Sequence, residues 1–472
     1  MFRIPLRPRR ARAAALRTLA PLVLGVVAAC STDRIVGSGE LPNDVNDPAA
    51  TKTPAGALAA YRGALVDLGS ALGGWTLPFA ENGSYIATTA LLSDELQAGD
   101  IGAPIGTTSG IERVDARTLP EYADPSLEPA LPYRATYSAL QVTRGQARQA
   151  LGLLATYVPD SSAALQGHLY ATLGYSETML AELFCSGIPL STVDYDGDYT
   201  LQPGSSTEEV LDHAVALFDS ALALSADSER VMELARVGKG RALLDLGRYV
   251  EAAQAVADVP DGFRYVATYF DPSQHPSSNF ENFAYIPPGF TWFATVANTE
   301  GGIGLDYVSS GDPRTASAAG GMNQYGVMLY YPAKYASTGD TPIVLADWVE
   351  ARLIEAEAAL QAGDVATWLG KLDHLRETAI TPALPDTTDP GTPDARVDLT
   401  FRERAFWLFL TGHREGDLRR LIRQYGRQPA TVYPTGSYQG GTGAYGPDVT
   451  APIPAAERAF NPKFTGCQNR GA

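Results

Sequence analysis

The stretch MELARVGKGRALLDLGRYVEAAQAVAD, residues 232–258, constrains the fold more than any other part of the chain. Small residues stand at Gly238, Ala242, Ala252 and Ala253, a turn glycine at Gly247 and an aromatic at Tyr249. Two helices come close only where side chains are small, and a glycine supplies the turn between them. This is the pattern of a tetratricopeptide helix-turn-helix unit. Residues 347–377 repeat it loosely, with the turn at Gly363-Asp364. Such units cannot bury their apolar faces alone and must stack on further helices.

The chain offers those helices. Residues 55–72 are rich in Ala and Leu with an amphipathic stripe, and 133–154 and 161–184 read as further helical regions. At 205–224, Ser206 and Glu209 form a capping box, and Val210, Ala214, Leu217 and Ala221 keep one apolar face. Residues 73–132 and 262–346 differ. They are rich in Gly, Pro and Asn and hold Trp75, Tyr85, Tyr122, Trp292, Tyr307, Tyr325, Tyr330 and Tyr331. Residues 378–398 and 427–472 are similarly loop-like. Loops this long in a compact domain are usually functional. The expected fold is mainly α, a tetratricopeptide-like scaffold carrying long irregular excursions.

The N-terminus is expected to be a targeting segment. Arg3, Arg7, Arg9, Arg10, Arg12 and Arg17 precede a short apolar run, TLAPLVLGVVAA, that ends at Cys30. Small residues followed at once by cysteine are the bacterial lipoprotein arrangement, so residues 1–29 read as a signal peptide and Cys30 as the lipidated residue. Ordinary secretion is the alternative. The polar, Pro/Gly-rich stretch 30–55 reads as a tether, and 56–472 as one domain, with 56–260 its helical part. The expected location is a membrane surface, reached through lipid. The first 29 residues carry six arginines and no acid, so the whole chain's −17 leaves −23 on the remainder. A body that acidic argues against nucleic acid as a partner.

Catalytic patterns are weak. None of His168, His213, His275, His374 and His413 stands in metal-ligand spacing, and no G-x-S-x-G elbow, P-loop or dinucleotide fingerprint occurs. No cofactor is implied. Asp194, Asp196 and Asp198 alternate as in a calcium loop, but Gly197 is misplaced and position 12 is Ser205. Glu355 and Glu357 point to different sides of a helix, and Asp94-Glu95 is expected to face water or pair locally. Cys185 and Cys467 are either a disulfide or two buried thiols. The aromatic loops need no catalytic machinery: Trp and Tyr stack on the C–H faces of sugars, while amides and acids take the hydroxyls.

FLTGHREGDLRRLIRQYG, residues 409–426, is the most charged motif. Phe401, Ala405, Leu408 and Phe409 make an apolar face that Gly412 and Gly416 continue at steps of four, where another helix can approach. Glu415 with Arg419, and Asp417 with Arg420, are spaced to pair. His413 and Arg414 are expected to bond neighbouring backbone or acids. The stretch reads as scaffold rather than as a binding site.

Together these pieces resemble the SusD/RagB family of bacterial outer-membrane nutrient-binding lipoproteins. LADWVEARLIEAEAAL (345–360) looks like its core helix. FRERAFWLFLTGHREGDLRRL (401–421) is similar to its "ERxxELxxEGHRxxDLRR" signature through Arg402, Glu403, Arg404, Gly412, His413, Arg414, Asp417, Leu418 and Arg419. PIPAAERAFNPKFTGCQNRG (452–471) looks like its closing motif, and LFCSGIPL (183–190) like its helix exit. Leu410-Thr411 departs from an acidic residue before Gly412, Arg470 from a proline, and Cys467 is unusual in the closing motif.

The resemblance implies a binding protein, not an enzyme. It would capture oligosaccharides, or peptides, and deliver them to a SusC-like TonB-dependent outer-membrane barrel. It would sit in the outer membrane facing the exterior and work by opening a lid about a hinge. The alternatives are a secreted lipid-anchored glycoside hydrolase and a purely structural helical-repeat protein. The candidate ligand residues are Trp75, Arg113, Trp292, Tyr307 and Tyr325.

Overall fold

The computed structural model describes residues 51–74, 84–99, 110–120, 132–194, 198–269, 294–335, 340–439 and 443–471. Residues 52–472 form one compact unit. Within it the helices run α1 (Pro54–Gly73), α2 (Tyr85–Leu92), α3 (Ile111–Asp115), α4 (Pro132–Tyr157), α5 (Ala163–Leu183), α6 (Thr207–Leu224), α7 (Glu229–Asp245) and α8 (Tyr249–Val256). They continue with α9 (Trp348–Gln361), α10 (Val365–Thr378), α11 (Pro393–Trp407), α12 (Arg414–Arg423) and α13 (Ala455–Phe460). Consecutive helices from α4 to α8 pack on one another, α1 lies against α4, and α9 joins α7 and α8. This is the tetratricopeptide-like stack expected from the small-residue pattern. No helix among the described residues is long and apolar enough to cross a membrane.

Local chemistry explains the helix ends. Glu209 N donates to Ser206 Oγ at 3.1 Å, and Ser206 N donates to Glu209 Oε2 at 2.8 Å, so the capping box is complete. Asp347 and Asp364 each cap a helix by accepting from Glu350 N and Thr367 N, both at 3.0 Å. The two repeat turns use Gly247 and Gly363 at φ +71° and +76°, a region closed to most side chains. Gly238 is fixed by packing instead. A Cβ there would stand 2.4 Å from Phe218 Cε1 and 2.8 Å from Tyr175 Cζ. The aromatic pair edge-packs at 5.2 Å in the α5–α6–α7 core.

Strands are few and short, in two-stranded antiparallel pairs. Three pairs frame the non-helical side: β1 (Leu96–Ala98) with β7 (Ala294–Val296), β6 (Arg264–Ala267) with β10 (Ile343–Asp347), and β8 (Ser317–Met322) with β9 (Met328–Pro332). The others are β2 (Ile188–Pro189) with β5 (Gly204–Ser205), and β3 (Thr192–Val193) with β4 (Tyr199–Thr200). Cys185 and Cys467 are bonded, with Cα atoms 5.8 Å apart and 282 positions apart in sequence. Ser186 exchanges backbone hydrogen bonds with Gln468 and Asn469 beside it, so the C-terminal segment is sewn to the exit of α5.

Two expectations change. The apolar line from Phe401 to Gly416 is not one helix: α11 ends at Trp407, and α12 begins at Arg414 after a turn with Leu410 at φ +52° and Gly412 at φ +82°. The small residues do permit close approach, but of other elements. A Cβ at Gly412 would stand 2.6 Å from the Tyr85 ring, and one at Gly416 3.1 Å from Glu182 Cγ. Asp94 and Glu95 do not face water or pair locally. Both are buried, and Asp94 binds Arg414, 320 residues away, at 2.6 and 2.9 Å.

Candidate functional site

Polar chemistry divides into a buried charged core and a rim whose hairpin is uncharged. The core is built around α12. Arg404 and Arg420 both bind Asp417, at 2.9 Å from Arg404 Nε and 2.7 Å from Arg420 Nη2. Arg420 also holds Glu357. Arg419 does not pair with Glu415 by hydrogen bond. It donates to the carbonyls of Ala181, Glu182 and Phe184, capping the end of α5, while Glu415 accepts from Tyr433 Oη at 2.9 Å. Arg241 clamps Glu182 with two bonds of 2.6 Å and reaches Gly412 O and His413 Nε2. His413 also lies 3.0 Å from Glu350 Oε1. Burial pushes the Glu95 and Glu415 carboxyls up to about 8. For Asp417 burial acts in the same sense, but Arg404 and Arg420 outweigh it and hold the carboxyl well below the usual range.

A small cavity of about 100 Å³ lies against this core, lined by Lys334, Asp347, Glu350, Trp407, Thr411 and His413 among others. Ligand pockets measure roughly 300–1,000 Å³, so it is no place for a sugar ring.

The rim is the β8–β9 hairpin with β1, β7 and α3. Between Arg314 and Lys334 the sequence carries no charge. Asn323 Oδ1 accepts from Tyr325 N and Val327 N, both at 2.9 Å, and Gly326 takes φ +77°, which closes the tip. Tyr331 lies over Gly320, where a Cβ would stand 2.4 Å from its ring. The tip presents Met322, Tyr325 and Met328 to solvent, with Tyr325 50% exposed. The hairpin is tied down at two places. Tyr330 N donates to Thr295 Oγ1 of β7 at 2.7 Å, and Asn323 Nδ2 donates to Gly99 O at 3.3 Å. Ala98, one residue before, donates its N–H to Asp115 of α3 at 2.7 Å.

Arg113, half-buried on α3, and Tyr325 therefore stand on elements fastened to consecutive residues, Ala98 and Gly99. Tyr307 belongs elsewhere. It is 1% exposed, stacked on Phe406 at 5.5 Å and tilted against Phe409 at 5.0 Å, with its hydroxyl donating to Asp94 at 3.4 Å. That ring is core and has no face for a ligand. Trp75, Trp292, Cys30 and Asp196 lie outside the described residues. The residues beside the two tryptophans are placed. Tyr269 donates to Gly69 O at 2.7 Å and covers Gly73, while Ser84 Oγ donates to Leu72 O at 2.9 Å, so residues 74, 84 and 269 converge. Ala294 pairs with Ala98. Asp194 and Asp198 are joined through Asp198 N and Asp194 Oδ1 at 2.9 Å, and no group of three metal-ligating side chains occurs among the described residues.

The sequence reading missed Asp94, Asp115 and Glu300 as buried acids that organise the rim. Asp94 accepts from Leu305 N at 3.0 Å as well as from Arg414, and Glu300 accepts from Tyr445 at 2.9 Å. Little local in the sequence marks them, because apart from Ala98, 17 residues before Asp115, the partners named here lie more than a hundred residues away.

A scan of protein-family models finds no match, and a search of curated proteins finds none either. Solved structures do match. A SusD superfamily protein from Bacteroides thetaiotaomicron VPI-5482 superposes with a TM-score of 0.63 at 17% identity, covering 88% of this chain and 100% of its own. A laminarin-binding SusD-like protein gives 0.62 at 14%, covering 88% and 99%. B. fragilis NanU gives 0.59 at 14%, covering 92% and 100%. Likeness at this identity establishes a shared fold across nearly the full length of each chain.

Proposed function

We propose that this chain, which has the SusD-like fold, is a glycan-binding protein without catalytic activity of its own. The observation that carries the reading is fold likeness over almost the whole length, including to a protein described as laminarin-binding. The rim supports it. An uncharged hairpin with a half-exposed tyrosine suits the neutral, C–H-faced surface of a sugar better than it suits a charged peptide. In the finer reading, Cys30 carries a lipid that holds the protein at the outer membrane. There it delivers oligosaccharide to a SusC-like TonB-dependent barrel.

Calorimetry against a panel of neutral oligosaccharides, laminarin fragments included, tests the binding reading. Saturable binding with intact ligand recovered afterwards is the expected result. Shortened ligand would make the protein a hydrolase, and silence across both glycan and peptide panels would overturn the reading. Trp292→Ala is expected to weaken binding without lowering the thermal midpoint. For the finer reading, Cys30→Ser should abolish incorporation of labelled fatty acid. Pull-down from solubilised membranes should recover a large barrel, and its absence would remove the transporter from the account.

A further inference from the structure

The chain has five methionines. Met1 lies outside the described residues, Met179 is 1% exposed inside α5, and Met232 is half-buried on α7. The other two, Met322 and Met328, stand at the tip of the β8–β9 hairpin, 69% and 38% exposed. They are register partners across the two strands. Directly opposite residues of an antiparallel pair project from the same face, with Cβ atoms roughly 4.5–5.5 Å apart. Leu329, the next residue along β9, takes the other face and is buried. The two thioethers therefore share one solvent-facing patch, three positions either side of Tyr325.

Neither sulfur holds the hairpin together. Asn323 closes the tip. Its N–H donates to Val327 O at 2.9 Å, its Oδ1 accepts from Tyr325 N and Val327 N, and its carbonyl accepts from Gly326 N at 3.0 Å. Farther down, Tyr330 N is tied to Thr295 Oγ1. A change confined to the two sulfurs thus alters what the tip presents and leaves the strand pairing in place. Exposure decides which methionines meet an oxidant carried in water, and a thioether that gains oxygen turns from a soft apolar contact into a polar one.

We propose that Met322 and Met328 are a paired modification site for hydroperoxides, and that their oxidation switches the hairpin tip from apolar to polar. The step is a two-electron oxygen transfer. A sulfur lone pair attacks the terminal oxygen of the hydroperoxide, an S–O bond forms and the O–O bond breaks. The proton on the transferred oxygen passes to the departing oxygen. The sulfur is oxidised to a sulfoxide, and the hydroperoxide is reduced to water or an alcohol. Each sulfoxide oxygen is a strong acceptor that must lose its water before an apolar surface can cover it. The consequence for ligand rests on the glycan-binding reading, because an oxidised tip opposes the sugar C–H faces that Tyr325 would stack on. The modification itself does not depend on that reading.

Peptide mass spectrometry of the full chain treated with hydrogen peroxide reads the modification. Met322 and Met328 should each gain one oxygen at least about tenfold faster than Met179. Retention on a hydrophobic-interaction column reads the tip with no ligand present, and it should fall as the two residues oxidise. The double variant Met322→Leu/Met328→Leu keeps apolar side chains without sulfur, so peroxide should leave its retention where it was. The two epimer-specific methionine sulfoxide reductases, supplied with a thiol, should return the wild type to its starting retention. Glycan affinity of the wild type should fall roughly three- to tenfold on oxidation. The double variant's own affinity, whatever its value, should not respond to peroxide.

Similar rates at Met179 and at the tip, an oxidised wild type with unchanged retention, or an equal loss of retention in the double variant overturns the proposal. Glycan affinity undiminished after complete oxidation overturns the effect on ligand and leaves the glycan-binding reading standing. A chain that binds no glycan before oxidation defeats that reading instead, and the mass and retention measurements still decide the site.

Discussion

The region around α12 and the β8–β9 hairpin handle polarity in opposite ways. In the ten residues of α12 and the His413 before it, every charged side chain but Arg423 is buried, and each buried one is held by a partner from another part of the chain or from the same helix. The hairpin has no charge, and its tip shows Met322, Tyr325 and Met328 to water. Charge in this protein marks what must stay fixed, and the uncharged aromatic strand marks what is free to touch something else. The reason is desolvation. A buried ion is tolerated only when fully paired, so a dense charged motif implies one tightly specified surrounding. A surface tyrosine makes no such demand.

The contrast can be broken at several points. Asp417→Ala leaves Arg404 and Arg420 facing each other and Glu357, and is expected to cost about 3–5 kcal/mol in urea unfolding at pH 7. The folded-state carboxyl lies below its ordinary 3.8, so its contribution is complete above that value and lost as pH falls. The gap between variant and wild type should therefore shrink in acid, and a gap independent of pH would remove the ionic explanation. Tyr307→Ala should cost about 3–4 kcal/mol, because a ring stacked on Phe406 and Phe409 leaves a cavity. Cys467→Ser frees the C-terminal segment from α5 and should cost about 2–4 kcal/mol by the same measurement, through the unfolded chain's regained freedom. Tyr325→Ala should move unfolding by less than about 0.5 kcal/mol. It should nonetheless lower glycan affinity roughly five- to tenfold, the loss of one stacking contact. Were Tyr325→Ala as damaging to stability as Tyr307→Ala, the division between core and rim would fail.

Much of the fold was legible. Gly247 and Gly363 marked the repeat turns because only glycine accepts their backbone angles at little cost. Ser206 and Glu209 marked the start of α6 because a capping box is local chemistry. The site was read less well. Tyr307 and Tyr325 are the same residue type in the same loop-rich interval, yet one is 1% and the other 50% exposed. Nothing in their neighbours separates them, since Phe406, Phe409 and Asp94, which bury Tyr307, are remote in sequence. Gly412 was read as a helix residue because its spacing from Phe401 and Leu408 fits a helical period. Its positive φ follows from the turn that brings Arg414 to Asp94.

By itself, the sequence determined the helical stack, the turns between repeats and the structural use of the 409–426 motif. All of these follow from short-range periodicity, capping and steric allowance. Only the tertiary structure decided that Arg404 joins Asp417, that Arg414 meets Asp94, and which tyrosine keeps a free face. Those outcomes depend on contacts between residues from 13 to 320 positions apart. Burial, which sets the cost of each charge and the exposure of each ring, is a property of the packed chain and of no segment within it.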